Sequence, residues 1–455
     1  MNKLSALIIT ILISFQATAQ VSQNTYLLFN WTDTNITPVP FLDNQRFNEV
    51  WGYEQNGREY AIIGSTMGMH FIDVTGNSPV EVGYVAGKAQ GSGIIHRDFK
   101  NFGTYLYAVC DEGQSSLQII DMQYLPDSVH VVYDSDSMII RAHNLYIDTA
   151  MSKLYIFGAT SDINTPGTPV GYPAMIFNLL GNPAQPYYLN FFSHANISYV
   201  HDGYVHNDTA IFNGGTDGLW YGNYANPNLP SEIDVLPFYQ DQGYNHSGWL
   251  TPDKKHYIMS DETHGMRMKM LDMEEGVNLL STCNLIGSDV NQYSIPHNQL
   301  FRGNYLYVSY YYDGLRIFDI TDPCDIQQVA WYDTYPGDAV NGGYSGAWGT
   351  YPLLPSGKIL VSDMQTGLYV LGHSGVTLGA GETFEYSFNM FPNPTSDIIQ
   401  FNEAFQYIRI IDMHGKLVRS YTNQQTINVE NLANGIYLVQ VDRSGETGFK
   451  KLVKN

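Results

Sequence analysis

The stretch PHNQLFRGNYLYVSYYYDGLRIFDI, residues 296–320, reads as a histidine, an aromatic-rich strand, a second strand ending in an Asp-Gly turn, and a third apolar strand closing on Asp. The same order recurs at 245–273 (NHSGWLTPDKKHYIMSDETHGMRMKMLDM) and 96–122 (HRDFKNFGTYLYAVCDEGQSSLQIIDM), and more loosely at 50–74, 142–160, 200–224 and 347–373. Third strands are expected to start near Met69, Leu117, Ala174, Leu219, Met268, Leu315 and Leu368, at intervals of 45 to 57 residues. Seven units of this size, built from strands and turns alone, predict an all-β fold: a seven-bladed β-propeller over residues 24–373, one four-stranded blade per repeat.

The fourth strands give an independent check. Six of them follow their third strands, among them PVEVGYV, VHVVYDS and QQVAWYDT, but none follows the seventh before residue 383. An unpaired strand, TYLLFNW (25–31), precedes the first repeat. It is expected to complete the last blade, closing the ring and removing an exposed sheet edge.

The 455 residues are 44% hydrophobic and 14% aromatic, with 35 tyrosines, which excludes a disordered or collagenous chain. The formal charge of −22 is uneven: residues 20–383 carry 14 basic and 37 acidic side chains, residues 384–455 seven of each. So acidic a body is a poor partner for nucleic acid and a good attractor of cations. Lys3, the apolar run from Leu4 to Phe15 and Ala17-Thr18-Ala19 form a signal-peptide pattern over residues 1–19, with cleavage expected near Ala19. No later stretch approaches the ~18 apolar residues of a transmembrane segment. Cys110, Cys283 and Cys324 show no CxxC spacing and read as separate buried thiols, with a Cys283–Cys324 disulfide as the alternative.

The phrases FIDVTGNSPVEVGYV (71–85) and LRIFDITDPCDIQQVAWYDT (315–334) resemble the LVIVD repeat, and the stretch from about 24 to 373 resembles the choice-of-anchor B family of secreted bacterial proteins. The resemblance implies a propeller joined to a cell-surface anchor and brings no reaction with it. The middle blades depart from the motif, with NLLGNPAQP and LWYGNYANPN where the Asp-x-Ser/Thr phrase would stand.

Residues 374–383 (SGVTLGAGET) suit a linker. Residues 384–455 alternate as strands separated by turns, consistent with a small β-sandwich. They resemble the type A C-terminal sorting domain of the type IX secretion system of Bacteroidota, through Pro392-Asn393-Pro394 with Asp397, Asp412 followed by Gly415-Lys416, Asn434-Gly435-Ile436-Tyr437, and Lys450-Lys451. The resemblance implies recognition by the type IX machinery and a secreted or outer-membrane surface location.

Five repeats place a histidine just before or at the first strand: His96, His143, His201, His246 and His297. Trp51 and Trp348 are expected at the same position in the other two. First strands line a propeller's channel, so these side chains should converge on one face. The turn residues Asp111, Asp217, Asp261, Asp313 and Asp363 should share that face, since strand starts and second turns lie at the same end of an up-and-down sheet. Two readings stand. Repetition favours a structural network in which each histidine bonds a neighbouring turn or backbone group, with at least four of the five on one face. Neutral imidazoles beside carboxylates also suit a transition metal, with calcium as the oxygen-ligand variant. The function expected is an exported binding scaffold for an unknown extracellular ligand. The alternative is a metal-dependent hydrolase or oxidoreductase using the same face. No catalytic motif such as GxSxG, HExxH or a P-loop is present, so no catalytic residue is assigned. The run Tyr310-Tyr311-Tyr312 is expected on one strand, packing between blades.

Overall fold

The computed structural model describes residues 22–274, 278–279, 285–286, 293, 295–323, 325–374, 390–412, 417–443 and 446–455, without the side chains of 278–279, 285–286, 402, 412, 417, 442–443 and 446–449. The expected signal peptide, all of the expected linker but Ser374, Cys283, Cys324, Gly415 and Lys416 lie outside the described residues. Cys110 is a free, buried thiol. Among the described residues, no helix is long and apolar enough to cross a membrane.

Seven antiparallel sheets follow one another along the body. The inner strands of blades 1 to 7 are Phe47–Gln55, Arg97–Phe102, Asn144–Asp148, Asp202–His206, Asn245–Leu250, Gln299–Arg302 and Ala347–Tyr351. Each touches the inner strand of the next blade, and that of blade 7 returns to that of blade 1. The third strands begin at Gly68, Leu117, Val170, Leu219, Met268, Leu315 and Gly367. The one displaced start, Val170 in place of Ala174, reflects the nine-residue second and third strands of blade 3. Blade 5 carries its outer edge as two short strands, Asn278–Leu279 and Leu285–Ile286.

Thr25–Trp31 pairs antiparallel with Gly367–His373, from Thr25 opposite His373 to Trp31 opposite Leu368. The N-terminal strand therefore completes blade 7, and Ser22–Gln23 adds a short fifth strand to blade 6. The apolar character of the middle strands has a packing cause: both of their faces are covered. In blade 6, Leu306 and Val308 point into the core shared with blade 5, while Tyr307, between them, points into the core shared with blade 7. Seven such cores lie between consecutive blades, and the last, joining blades 7 and 1, includes Phe29 of the closing strand. The turn before the third strand is held tight by glycine. Gly314 has φ +70°, and a Cβ there would collide with the carbonyl of Tyr332 in the outer strand.

The tail is one bent sheet built on the long strand Ile398–Asp412, which pairs with Met390–Phe391, Leu417–Asn428 and Gly435–Arg443, with Glu446–Lys454 at the edge. The register breaks between Gln400 and Phe405, so the two halves close over one core of Ile399, Phe401, Ile408, Ile427, Val439 and Leu452. Of the motif residues, Asn393 is pinned to the closing strand: its Nδ2 donates to Lys451 O at 2.7 Å and its Oδ1 accepts from Val453 N at 2.8 Å. Tyr437 donates to Ala433 O at 2.8 Å.

Candidate functional site

The five histidines come together at one end of the channel. Their rings form a closed wreath with the Trp348 indole. Centroid separations around it are 4.9 Å (His96–His143), 4.0 Å (His143–His201), 4.2 Å (His201–His246), 4.5 Å (His246–His297), 4.7 Å (His297–Trp348) and 5.1 Å (Trp348–His96). The wreath borders about 270 Å³ of empty space.

Trp51 does not join it, which corrects the placement expected from the repeat. A bulge between Phe47 and Val50 leaves Asn48 at the position that His246 and Trp348 hold in the bulged strands of blades 5 and 7. Trp51 falls three residues further down the strand, donating to Asn101 Oδ1 at 2.7 Å under the Lys100 ammonium. Asn48 turns its amide to Ile95 O, 3.0 Å away, and the wreath closes across blade 1 by the direct His96–Trp348 contact.

One edge of each of four imidazoles is fixed. His201 Nδ1 donates to His246 O at 3.1 Å and His297 Nδ1 to Trp348 O at 2.5 Å, each bond stitching one blade to the next. His96 Nδ1 meets Glu112 Oε1 at 2.5 Å and His143 Nδ1 meets Asp111 Oδ2 at 2.8 Å. Burial, reinforced by neighbouring imidazoles, holds the pKa values of His201 and His246 well below the usual range and pushes His297 down to about 3. These three rings are neutral. With Nδ1 carrying the proton in His201 and His297, their Nε2 lone pairs are bare.

Of the turn aspartates, Asp111 meets a histidine; Asp261 and Asp363 stand opposite Asn245 and Ala347, the neighbours of His246 and Trp348, at the same end of their blades, but their carboxylates are engaged by other groups. Asp217 accepts from Ser198 N at 2.8 Å and Ser198 Oγ at 2.7 Å. Asp261 is fully buried against Lys269 Nζ at 2.6 Å, Tyr239 OH at 2.6 Å and Gly243 N at 2.9 Å. Asp313 is buried 3.8 Å from Arg316. Asp363 accepts from Gln365 N, from Thr366 N and Oγ1, and from Thr334 Oγ1 at 2.7 to 3.0 Å. Asp261 and Asp363 are the last residues of their second strands, so their side chains turn into the sheet; the following residue turns to the channel. Hence Glu262 reaches the wreath, its Oε2 3.7 Å from His246 Nε2 and its Oε1 4.0 Å from His297 Nε2. Adjacent acids at 111–112 and 261–262 were the signal for this.

The tyrosine run is likewise not a strand. The second strand of blade 6 ends at Ser309, and Tyr310, Tyr311 and Tyr312 form the turn. Tyr311 adopts φ +38°, a strained conformation for an aromatic residue. It is held by Ala347 N and Gly314 N donating to its carbonyl at 2.9 Å each. Its hydroxyl donates to Glu262 Oε1 at 2.6 Å and its ring lies edge-on to His297 at 5.0 Å.

One step along the inner strands the channel is acidic, bordering about 420 Å³ of space between Glu49, Asp98, Lys100, Asp202 and Trp249. Burial, then the Asp98 charge, raises Glu49 to about 8 and Asp202 to about 7. Burial works against the Lys100 ammonium, but Asp98, 2.7 Å away, and Glu49 outweigh it and raise its pKa. Nothing in the repeat pattern marked this layer.

Residues 389–455 match the family described as the secretion system C-terminal sorting domain, so the tail directs the chain to secretion or the cell surface through the type IX machinery. No curated protein matches the chain. Among solved structures, the chain is similar to the β-propeller domain of Cps50 (Swd1) from Myceliophteria thermophila, with TM-score 0.49, 10% identity, and 76% of this chain and 98% of that one covered. It is also similar to a putative 6-phosphogluconolactonase from Bacteroides uniformis, with TM-score 0.47, 11% identity, and 85% and 100% covered. The propeller assignment rests on the strand order and blade-to-blade cores described above.

Proposed function

We propose that the protein is an exported binding propeller, of the choice-of-anchor B type, that receives a small polar or cationic ligand at the histidine end of its channel. The observation that carries this reading is the closed wreath of five imidazoles and one indole, in which the Nδ1 edges of His96, His143, His201 and His297 are tied down while the Nε2 edges of His201 and His297 remain bare. A purely structural network would need the tied edges alone. The body's excess of acidic residues favours a cation over an anion. In this reading residues 1–19 are a signal peptide removed near Ala19, residues 374–383 a linker, and residues 384–455 the part the export machinery reads.

The mouth is tested by fluorescence. Divalent cations, amino acids and monosaccharides are titrated into the wild type and Trp348→Phe. A response present in the first and absent in the second supports the reading. One that survives both Trp348→Phe and His201→Ala places binding elsewhere and refutes it. Export is tested by truncation: a chain ending at residue 383 should stay in the periplasm, and its appearance at the surface would overturn the role given to the tail.

A further inference from the structure

The wreath cannot hold one metal on the channel axis. Six rings on a flat hexagon with these spacings put each centroid about 4.6 Å from the axis, and a nitrogen about 1.1 Å closer is still well beyond the ~2.0–2.1 Å of a zinc–nitrogen bond. Any ion has to sit off the axis, between neighbouring rings and a carboxylate. Among the described residues, two groupings have donor atoms within 4.8 Å of one another: His96 with Asp111 and His143, and His201 with His246 and Glu262.

They differ in how the carboxylate is engaged. Asp111 is hydrogen-bonded to His143 at 2.8 Å, so donor and acceptor already satisfy each other. Glu262 stands 3.7 Å from His246 Nε2 and 4.0 Å from His297 Nε2, beyond hydrogen-bond length, and its orientation is set from the other side by the Tyr311 hydroxyl. In a tetrahedral zinc site with bonds near 2.05 Å, donors lie about 3.4 Å apart, so the His246–Glu262 pair is within a few tenths of an ångström of that spacing. His201 supplies a neutral ring whose Nδ1 donates to a backbone carbonyl, the arrangement that fixes the tautomer of metal-binding histidines. Tyr311 does the same for the carboxylate, which gives its strained backbone a purpose.

Resting on the binding function proposed above, the geometry points to a first-row transition-metal site, of the zinc type, formed by His201, His246 and Glu262, with His297 beside it and Tyr311 orienting the carboxylate. Two imidazoles and a single carboxylate suit zinc, cobalt, nickel or copper; calcium, which takes six to eight oxygens, is excluded by the donor set. Three protein ligands leave a fourth position for a ligand entering from the mouth.

The test uses the full chain, purified without a histidine tag, stripped with a chelator, and titrated with zinc alone by calorimetry. Cobalt(II) absorption reports the coordination geometry. The expected result is one tight ion per chain with tetrahedral cobalt bands. His246→Gln and Glu262→Gln, each checked for an unchanged circular dichroism spectrum, should abolish saturable uptake, and Tyr311→Phe should weaken it about 10-fold or more. His130→Gln, exposed on the outer strand of blade 2, should leave it intact. Absence of saturable uptake, or uptake unaffected by His246→Gln and Glu262→Gln, overturns the proposal. Metal-free protein that still responds through Trp348 to an amino acid or a sugar would show the binding function surviving failure of the metal site. Zinc bound tightly by a mouth that answers to none of those solutes would uphold the metal site and count against the wider binding role.

Discussion

Glu49→Gln should change sign in its effect on stability as pH rises. Glu49 is 5% exposed; its Oε1 accepts from Val50 N at 3.0 Å and its Oε2 from Asn298 Nδ2 at 2.6 Å. Burial raises its pKa from 4.5 to about 8. The folded protein therefore holds this proton more tightly than the unfolded chain does. That contribution to stability is whole below pH 4.5 and lost as pH rises through 8. At about 1.4 kcal/mol per pH unit, a difference of about 3.5 is worth about 5 kcal/mol, of which about 4 falls between pH 5 and pH 9. A glutamine does not titrate, but it offers one acceptor where the carboxyl offers two. One of the two donors then loses its partner, costing about 1–3 kcal/mol at every pH. The variant should be less stable than wild type at pH 5 and more stable at pH 9, a swing of about 4 kcal/mol. Equilibrium urea unfolding at pH 5, 7 and 9 and constant ionic strength measures it. Asp202 titrates in both proteins and largely cancels. A difference between the two proteins that varies by less than about 1 kcal/mol over this range would refute the burial of an unpaired carboxyl at Glu49.

Lys269→Met should cost about 3–5 kcal/mol in urea unfolding, because it strands the fully buried Asp261 carboxylate; a loss below about 1 kcal/mol would show the pair to be wet. Phe29→Ala should cost about 3–5 kcal/mol through the core between blades 7 and 1, and limited proteolysis should then cut first within residues 22–31. Gly314→Ala should destabilise by more than about 1 kcal/mol, since φ +70° and the Tyr332 carbonyl both oppose a Cβ; an unchanged melting temperature would contradict the tight turn.

The architecture was legible because each blade repeats the same hydrophobic problem. Strands buried on both faces read as apolar runs, and the missing fourth strand after Leu368 pointed to TYLLFNW by elimination. The histidines were legible for the same reason, as one residue type recurring at one strand position. What the repeat concealed were departures from it. A bulge moves a side chain along the strand without altering the local sequence pattern, so Asn48 takes the place expected of Trp51. The partners of the turn aspartates were not legible, because an Asp at a turn marks the end of a blade but not the groups its carboxylate will bond; Asp261 and Asp363, as the last residues of their strands, turn into the sheet and leave the channel to the residue that follows. Glu49 and Asp202 each follow the histidine position by one residue, but the blade 1 bulge hid that match, and Asp98 and Lys100 follow it by two and four, so they form a layer only once the ring is closed.

That layer bears on where a ligand can act. A channel lined by Glu49, Asp98 and Asp202 would draw a cation into the body if its charges were uncompensated. They are not: Asp98 is paired with Lys100, Glu49 keeps its proton until about pH 8, and Asp202 gives up its proton only near pH 7. The interior is close to neutral while the body outside is strongly acidic, so the field that gathers cations ends at the mouth. There His201, His246 and His297 are neutral, because protonating one of them would place a charge in a desolvated ring. Neutral nitrogen lone pairs beside Glu262 attract a cation without paying for a second buried charge. His201 and His297 thus do two things with two nitrogens: Nδ1 ties one blade to the next, and Nε2 is left for chemistry at the rim.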